Sequence, residues 1–519
     1  MKNRELEATW IYHNGTKHSY QSIRTNPHYL DWENQPIPFK IYSELEPIPL
    51  PQHLSSSGVA ALEAIAALEA PTETQAIPSI QALAEILFLS AGITKRRSYP
   101  GGEMLFRAAA CTGALYHIDL YLVCGDLPDL GAGVYHFSPQ DFALRRLRKG
   151  DYRGVLIHAS GEEPSIAKSP CVIICASTYW RNAWKYQARA YRHCYWDNGT
   201  IMANLLAASA ARNIPVKVVI GFVDATANEL LALDSNREAP LSMVALGNAS
   251  PAAVSLSPQV EPMKFETVPL SNQEIDYPTM KAMHEASSLE SEEEVVAWHA
   301  AAQQETAATK DDGEKEARLF FPLGDDGVPR DTIEEVIQRR GSTREFSTDS
   351  ISFAQLSTML DRATHGISTD FLNQSEPSLN DLYLIVHAVD DLPSGAYVFR
   401  RDKRALELLK EGNFRHEAGY LGLGQEIPAD CSVNIYFLTD LNRALERFGN
   451  RGYRAAQLEA AILGGRLYLA AYAQRLGASG LTFFDDDVTE FFSPHAAGKS
   501  VMFLIALGKS VKQKGLNVI

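Results

Sequence analysis

Residues 185–192 read KYQARAYR, and residues 447–454 read RFGNRGYR. The second phrase lies 262 positions after the first (447 − 185 = 262). The same offset pairs Tyr121 with Tyr383, Tyr135 with Tyr397, Phe137 with Phe399, Gly150 with Gly412, Arg153 with Arg415 and Asp224 with Asp486. Chance similarity does not hold one register so far, and a fixed internal period marks a repeated structural unit. Upstream, IQALAEILFLSAG (80–92) matches FAQLSTMLDRATHG (353–366) at an offset of 273. The first repeat therefore carries 11 additional residues (273 − 262 = 11) around TKRRSYPGGEM (94–104). The closing segments MVALG (243–247) and FLIALG (503–508) match one residue out of that register.

The duplication divides the chain. Residues 1–60 are rich in proline (QPIPFK, LEPIPLPQ) and are expected to form an extended arm, because proline removes a donor and fixes φ. Residues 61–255 are the first repeat and 326–519 the second. Between them, 256–325 holds EASSLESEEEVVAWHAAAQQET, read as one acidic amphipathic helix, and KDDGEKEA, read as a solvated hinge. Each repeat predicts the same order. An amphipathic helix (80–91; 353–364) precedes a strand and a hairpin around Gly133 or Gly395. A strand (CVIICAST; SVNIYFLTD), a long helix (200–212; 460–475) and two closing strands follow. The fold class is α+β: two tandem domains, each a central mixed or antiparallel sheet flanked by helices, paired as a pseudo-dimer within one chain.

The 48 basic and 63 acidic side chains give a net charge of −15, which argues against nucleic acid or an anionic membrane as the main partner. No apolar run reaches the roughly 20 residues of a membrane-spanning helix. The first residues lack the apolar core of a secretory leader, so a cytoplasmic location is expected. Six cysteines without dense spacing fit a reducing compartment. Cys171 and Cys175 lie on one face of a strand and read as core. No metal site is expected.

The repeats differ where chemistry would sit. The second opens with QRRGSTREF, placing Arg339, Arg340, Ser342 and Arg344 together, a set suited to a phosphate or to a solvated basic helix end. The first has ALEAPT there, without a cation. Lys509 follows Gly508, where the first repeat has Asn248 after Gly247. Conversely, the first repeat has the small-residue turn Ala110-Cys111-Thr112-Gly113, which lets a flat ring approach the backbone. Its counterpart is Asn373-Gln374-Ser375. Lys185-Tyr186 becomes Arg447-Phe448, so the pair is either proton-handling or a surface charge beside a core ring.

These segments together resemble the flavin-dependent nitroreductase superfamily, and within it the SagB/ThcOx-type dehydrogenases in a tandem form. YHNGTKHSY and DWENQPIPFKIY are typical of that branch. Arg107 through His117 resembles its Arg-x-x-Pro-Ser-Ala-Gly-Ala-Leu-Tyr-Pro stretch, with Ala110, Cys111 and His117 departing from it. Lys185-Tyr186 fall where azoline-oxidising members carry a Lys-Tyr dyad. RAYRHCYWDNGT resembles the Arg-x-Tyr-Arg…Asp-Ala-Gly-His segment, with Thr200 in place of the histidine.

The resemblance implies FMN at the interface of the two domains, one per chain. Arg339, Arg340, Ser342, Arg344 and Lys509 would grip its phosphate. The turn Ala110, Cys111, Thr112 and Gly113 would lie beside the ring, and backbone N–H groups of Gly480-Leu481 or Cys111-Thr112 would serve the ring edges. Lys185, or Tyr186 with its pKa lowered by Lys185, would be the catalytic base. Cys111 is expected to stand in for serine, and His117, Trp180, Trp184 and Trp196 to pack, with a substrate slot as the alternative for the tryptophans. The implied activity is hydride transfer between a small-molecule or peptide-heterocycle substrate and flavin N5. The alternatives are an NAD(P)H-dependent nitro- or quinone reductase, with NAD(P)H as reductant, and a non-catalytic flavin-binding partner in a biosynthetic complex.

Overall fold

A computed structural model describes residues 2–25, 27–67, 75–99, 102–249, 257–304, 317–324, 327–373 and 377–511. ALEAPT beyond Ala67, KDDGEKEA before Ala317, Gln374 and Ser375 lie outside the described residues.

The first repeat uses strands β1 (Pro47–Pro49), β2 (Ile93–Tyr99), β3 (Gly102–Arg107), β4 (Ile118–Cys124), β5 (Gly133–Ser138), β6 (Ala143–Lys149), β7 (Cys171–Thr178), β8 (Val216–Val219) and β9 (Glu238–Leu246). The second uses β10 (Ala317–Leu319), β11 (Asn380–Val386), β12 (Gly395–Arg400), β13 (Ala405–Glu411), β14 (Val433–Thr439), β15 (Gly477–Leu481) and β16 (Ser500–Gly508). Two seven-stranded sheets result, ordered β1-β6-β5-β4-β7-β9-β8 and β10-β13-β12-β11-β14-β16-β15. The orders are the same element for element, and every named pairing is antiparallel. One edge strand of each sheet comes from outside the repeat as read from sequence. Pro47–Pro49 of the arm pairs with Ala143–Arg145, a position where proline costs nothing to the ladder. Ala317–Leu319 of the linker pairs with Ala405–Glu407.

Several expectations need correction. The arm is not extended throughout: Glu7–Gly15 and Tyr20–Thr25 are helical, because the prolines cluster after them. The linker holds two helices, Pro278–Ala286 and Glu292–Gln303, separated where Ser291 caps the second by accepting from the Glu294 N–H. The 11 additional residues belong to an outstanding two-stranded hairpin, β2–β3, with Lys95, Arg96 and Arg97 exposed.

The long helices run Ala190–Ala210 and Arg451–Ala473, beginning about a heptad and more ahead of the apolar signal. Their polar first turns are buried by the other repeat, so neither helix has the exposed face that creates an amphipathic pattern. The helices cross on the pseudo-twofold axis. A Cβ on Gly199 would lie 2.4 Å from the Ala461 Cβ, and one on Gly465 would lie 2.6 Å from the Ala203 Cβ. Each contact joins a residue to its own equivalent (199 + 262 = 461; 203 + 262 = 465). One glycine per pair lets the backbones meet.

Two reciprocal ion clusters close the interface. Asp485 of the second repeat binds Arg192 at 2.6 Å and Arg189 at 3.0 Å; Asp224 of the first binds Arg451 and Arg454, each at 2.6 Å. The equivalent of Asp224 is thus Asp485 rather than Asp486, which forms a pair with Lys17 in the arm. The one-residue slip falls before these aspartates, in the turn after β8 and β15. One continuous apolar cluster includes residues of both repeats, so the halves form a single body.

Candidate functional site: a cleft between the repeats

The turn after β3 is fixed by one carboxylate. Asp197, in the long helix Ala190–Ala210, accepts from the Thr112 N–H at 2.9 Å, the Thr112 hydroxyl at 2.8 Å, the Cys111 thiol at 3.0 Å and His117 Nε2 at 2.8 Å. Gly113 adopts φ +62°, and a Cβ there would meet the Tyr186 hydroxyl at 2.9 Å, so this position needs glycine. Burial, then the Asp197 charge, push the Cys111 thiol well above its ordinary value. Its S–H donates to Asp197, as a hydroxyl at that position would. His117 is fully buried between Asp197 and the Ser177 hydroxyl, 2.8 Å from each.

A cleft of about 420 Å³ opens beside this turn. From the first repeat it is lined by Ala110–Ala114, Lys185, Tyr186, His193, Trp196 and Asp197. From the second it is lined by Ser342, Arg344, Tyr468, Gly480, Leu481 and Thr482. Met104 and Phe106 of the β3 strand form part of its wall. Ten predicted residues therefore meet: Ala110, Cys111, Thr112, Gly113, Lys185, Tyr186, Ser342, Arg344, Gly480 and Leu481.

The dyad is arranged differently from the expectation. Lys185 Nζ lies 5.4 Å from the centre of the Tyr186 ring, over its face. Burial, then the Asp197 charge, push the Tyr186 phenol above its ordinary value against the opposing Arg344, the reverse of the lowering expected from Lys185. Burial, with repulsion from Arg344, instead lowers Lys185. Gln187 follows in a positive-φ conformation (φ 50°), where the second repeat has Gly449 (φ 68°). A non-glycine residue in that region stores strain next to the dyad.

Three grip residues stand apart from the cleft. Arg340 is buried and donates to the Ala108 and Arg107 carbonyls at 2.9 and 3.0 Å, tying the second repeat to the lead-in of the turn. Arg339 pairs with Asp331 at 2.6 Å and donates to the Tyr472 carbonyl. Lys509 is exposed past β16, its carbonyl accepting from the Ser347 N–H. Guanidiniums adjacent in sequence point to different sides of the chain, which composition alone does not encode. Two of the N–H groups proposed for ring edges are also spent: Gly480 donates to the Tyr468 hydroxyl and Thr112 to Asp197. The Thr482 hydroxyl, by contrast, is buried at the cleft with no hydrogen-bond partner among the described residues.

FMN fits this lining. A cation and a hydroxyl (Arg344, Ser342) lie across from a flat turn, and an orphaned buried donor, Thr482, awaits an acceptor. Of the tryptophans, Trp196 lines the cleft, whereas Trp180 and Trp184 donate to the Ser271 hydroxyl and the Asp31 carbonyl. Sequence reasoning missed His193, Asn182, Tyr468 and Thr482, whose signal is three-dimensional: only the packing of the two repeats brings them together at one cleft.

The dyad end of the reciprocal cleft is occupied by the linker helix Glu292–Gln303, while a cavity of about 780 Å³ stays open beside it, lined by Leu206, Val216, Lys217, Leu372 and Asn373. Arg447, at the place of Lys185, donates to the Ala301, Ala302 and Gln304 carbonyls at 2.9, 2.6 and 3.1 Å. Asn373, at the place of Cys111, donates to the Ala302 carbonyl at 2.6 Å. Phe448, at the place of Tyr186, packs on Trp298 with ring centres 5.3 Å apart. The second copy of the phrase holds a helix C-terminus, whose last carbonyls otherwise lack partners.

Residues 337–509 match the family model described as the nitroreductase family. A crystal structure from Anabaena variabilis, of a protein assigned as a nitroreductase, superposes with a TM-score of 0.75 at 26% identity. That likeness covers 97% of this chain and 99% of the other. A Methanocaldococcus jannaschii protein, also assigned as a nitroreductase, is 25% identical over 169 residues, 33% of this chain and 80% of its own. The fold is nitroreductase-like, the second repeat carries a nitroreductase-family domain, and the chain is an oxidoreductase of the flavin-dependent kind. Among the described residues no helix is long and apolar enough to cross a membrane.

Proposed function

We propose that the chain is an FMN-dependent dehydrogenase of the SagB/ThcOx type, holding one flavin in the cleft that both repeats line and acting on a small molecule or a peptide heterocycle. The observation that carries this reading is the meeting of Lys185, Tyr186 and the 110–114 turn from one repeat with Ser342 and Arg344 from the other. FMN, when bound, supplies two-electron redox chemistry.

The chain's own residues do the rest. Arg344 and Ser342 hold the phosphate through charge-assisted hydrogen bonds. The turn, locked by Asp197, would lie beside the flavin ring, and the Thr482 hydroxyl would be available to donate to it. Trp196 and Phe106 exclude water. Lys185, lowered by burial and by Arg344, is the proton-handling group, and Tyr186 positions it through the ring face.

The relatives' assignment as nitroreductases favours a second reading, a nitro- or quinone reductase fed by NAD(P)H. Anaerobic addition of NADPH to FMN-loaded protein separates the two. Persistence of the oxidised flavin spectrum supports the dehydrogenase reading; rapid bleaching overturns it in favour of the second.

A further inference from the structure

Asp197 dictates more than the shape of the turn. Its carboxylate accepts the Thr112 hydroxyl proton at 2.8 Å, so the Thr112 oxygen has only lone pairs left for its other neighbour. That neighbour, Asn182, must present its NH2 group to Thr112, at 2.8 Å. The amide is then oriented without ambiguity, and its oxygen faces His193 Nδ1, also at 2.8 Å. An amide oxygen only accepts, so the proton of the His193 ring is on Nδ1. This is the reverse of the Nε2–H form that free histidine prefers.

Nε2 is left as a lone pair. It has no hydrogen-bond partner among the described residues, while the His193 ring lines the cleft. The ring is 2% exposed and clamped, edge-on to Tyr186 at 4.4 Å and tilted on Trp196 at 4.8 Å. An acceptor on a clamped ring at a ligand cleft, with no partner among the described residues, is a group awaiting a donor. Charged and titratable neighbours come from several elements. Arg189, His117, His18 and Arg192 act on His193 electrostatically, and Lys185, Arg344 and Asp197 share the cleft wall. Burial and the surrounding positive groups hold the ring neutral, its pKa far below the ordinary imidazole value.

We infer that His193 is a specificity-determining residue whose Nε2 offers a fixed hydrogen-bond acceptor to the cleft, selecting ligands that place an N–H or O–H donor there. The inference rests on the proposed function for the identity of the cleft as the substrate's, and it narrows that substrate to a donor-bearing ring or amide. Resting on Asp197, Thr112 and Asn182, the selection is positional: none of these three need touch the ligand.

The test uses full-length, FMN-free protein labelled with ¹⁵N in the histidine rings, so it does not depend on flavin binding. The His193 signals are assigned by their loss in His193→Gln. At neutral pH we expect a protonated Nδ1 and an unprotonated Nε2, and reversion to Nε2–H in Asn182→Leu and in Thr112→Val but not in Thr112→Ser. Indole should move the Nε2 resonance upfield, and benzofuran, equal in size but without a donor, should not. An Nε2–H ring in the native protein overturns the relay even if both variants fail to fold. Any response to the two probes that shows no preference for indole overturns the selection.

Discussion

Lys185 and Arg447 are the penultimate residues of equivalent helices, yet Lys185 lines a cleft while Arg447 caps the linker helix from inside its counterpart. Two equivalent helix ends therefore serve opposite uses. In one, a desolvated ammonium faces an open space; in the other, a guanidinium spends its donors on three carbonyls. Lysine suits the first because burial shifts its pKa, and arginine the second because its fork reaches several acceptors without losing its charge.

The proton-handling role of Lys185 predicts a pH signature. Burial and Arg344 both lower its pKa, so the limb on which rate rises with pH should lie below the ordinary lysine value. Lys185→Met should remove that limb. Arg344→Gln should move it to higher pH by relieving the repulsion. A pH–rate profile unchanged in Lys185→Met contradicts the assignment.

Flavin retention should depend on Arg344 and much less on Arg339. Loss of one charge-assisted hydrogen bond, worth about 1.5–3 kcal/mol, should weaken FMN by roughly tenfold or more in Arg344→Gln. Arg339→Gln, whose partner is Asp331, should bind FMN nearly as the native chain does. Fluorescence titration of the two variants measures the difference.

The axis contact between Gly199 and Ala461 predicts a compensating pair. Gly199→Ala alone places two methyl groups in overlap and should cost about 1–3 kcal/mol. Combining it with Ala461→Gly exchanges the partners and should restore most of the loss. Urea unfolding of the two singles and the double reads the coupling directly.

Acid should release the interface in two stages. Burial and Arg454 depress His284 to about 3, and burial and Arg189 depress His18 to about 3. Burial would raise the Asp224 carboxyl, but Arg451 and Arg454 outweigh it and bring it to about 2. Every one of these folded-state values lies below the unfolded one, so each contribution is present at higher pH and lost as protons bind the unfolded chain. Stability should be level above pH 7, decline below about 6.5 as the histidines act, and fall faster below about 4 as Asp224 does. Asp224→Asn, keeping the shape, should flatten the second stage in thermal melts across that range.

Much of the architecture was legible because duplication writes each element twice. The helix Ile80–Ala91, the β5–β6 hairpin and the buried run Cys171–Thr178 carried ordinary periodic signals. The starts of the two long helices did not. Arg192, His193 and Asp197 look like solvated loop residues until the other repeat buries them. The site was legible in its contrasts: the residues kept by one repeat and lost by the other, such as Cys111 against Asn373, mark the candidate cleft and its reciprocal. What no spacing conveyed was direction. Arg339 and Arg340 are neighbours in the chain, and a helix end turns one to Asp331 and the other to the Arg107–Ala108 backbone. Nor did sequence disclose that the linker helix would occupy the dyad end of the second cleft, since its Trp298 and His299 contacts are long-range.

The count of FMN per chain tests the account most directly. Chain saturated with FMN, freed of excess by gel filtration and assayed for flavin against protein, should hold one. The same value should persist in Trp298→Ala, because the reciprocal cleft lacks the turn as well as the cations. Two flavins per chain, or none, would contradict a single cofactor cleft built from both repeats.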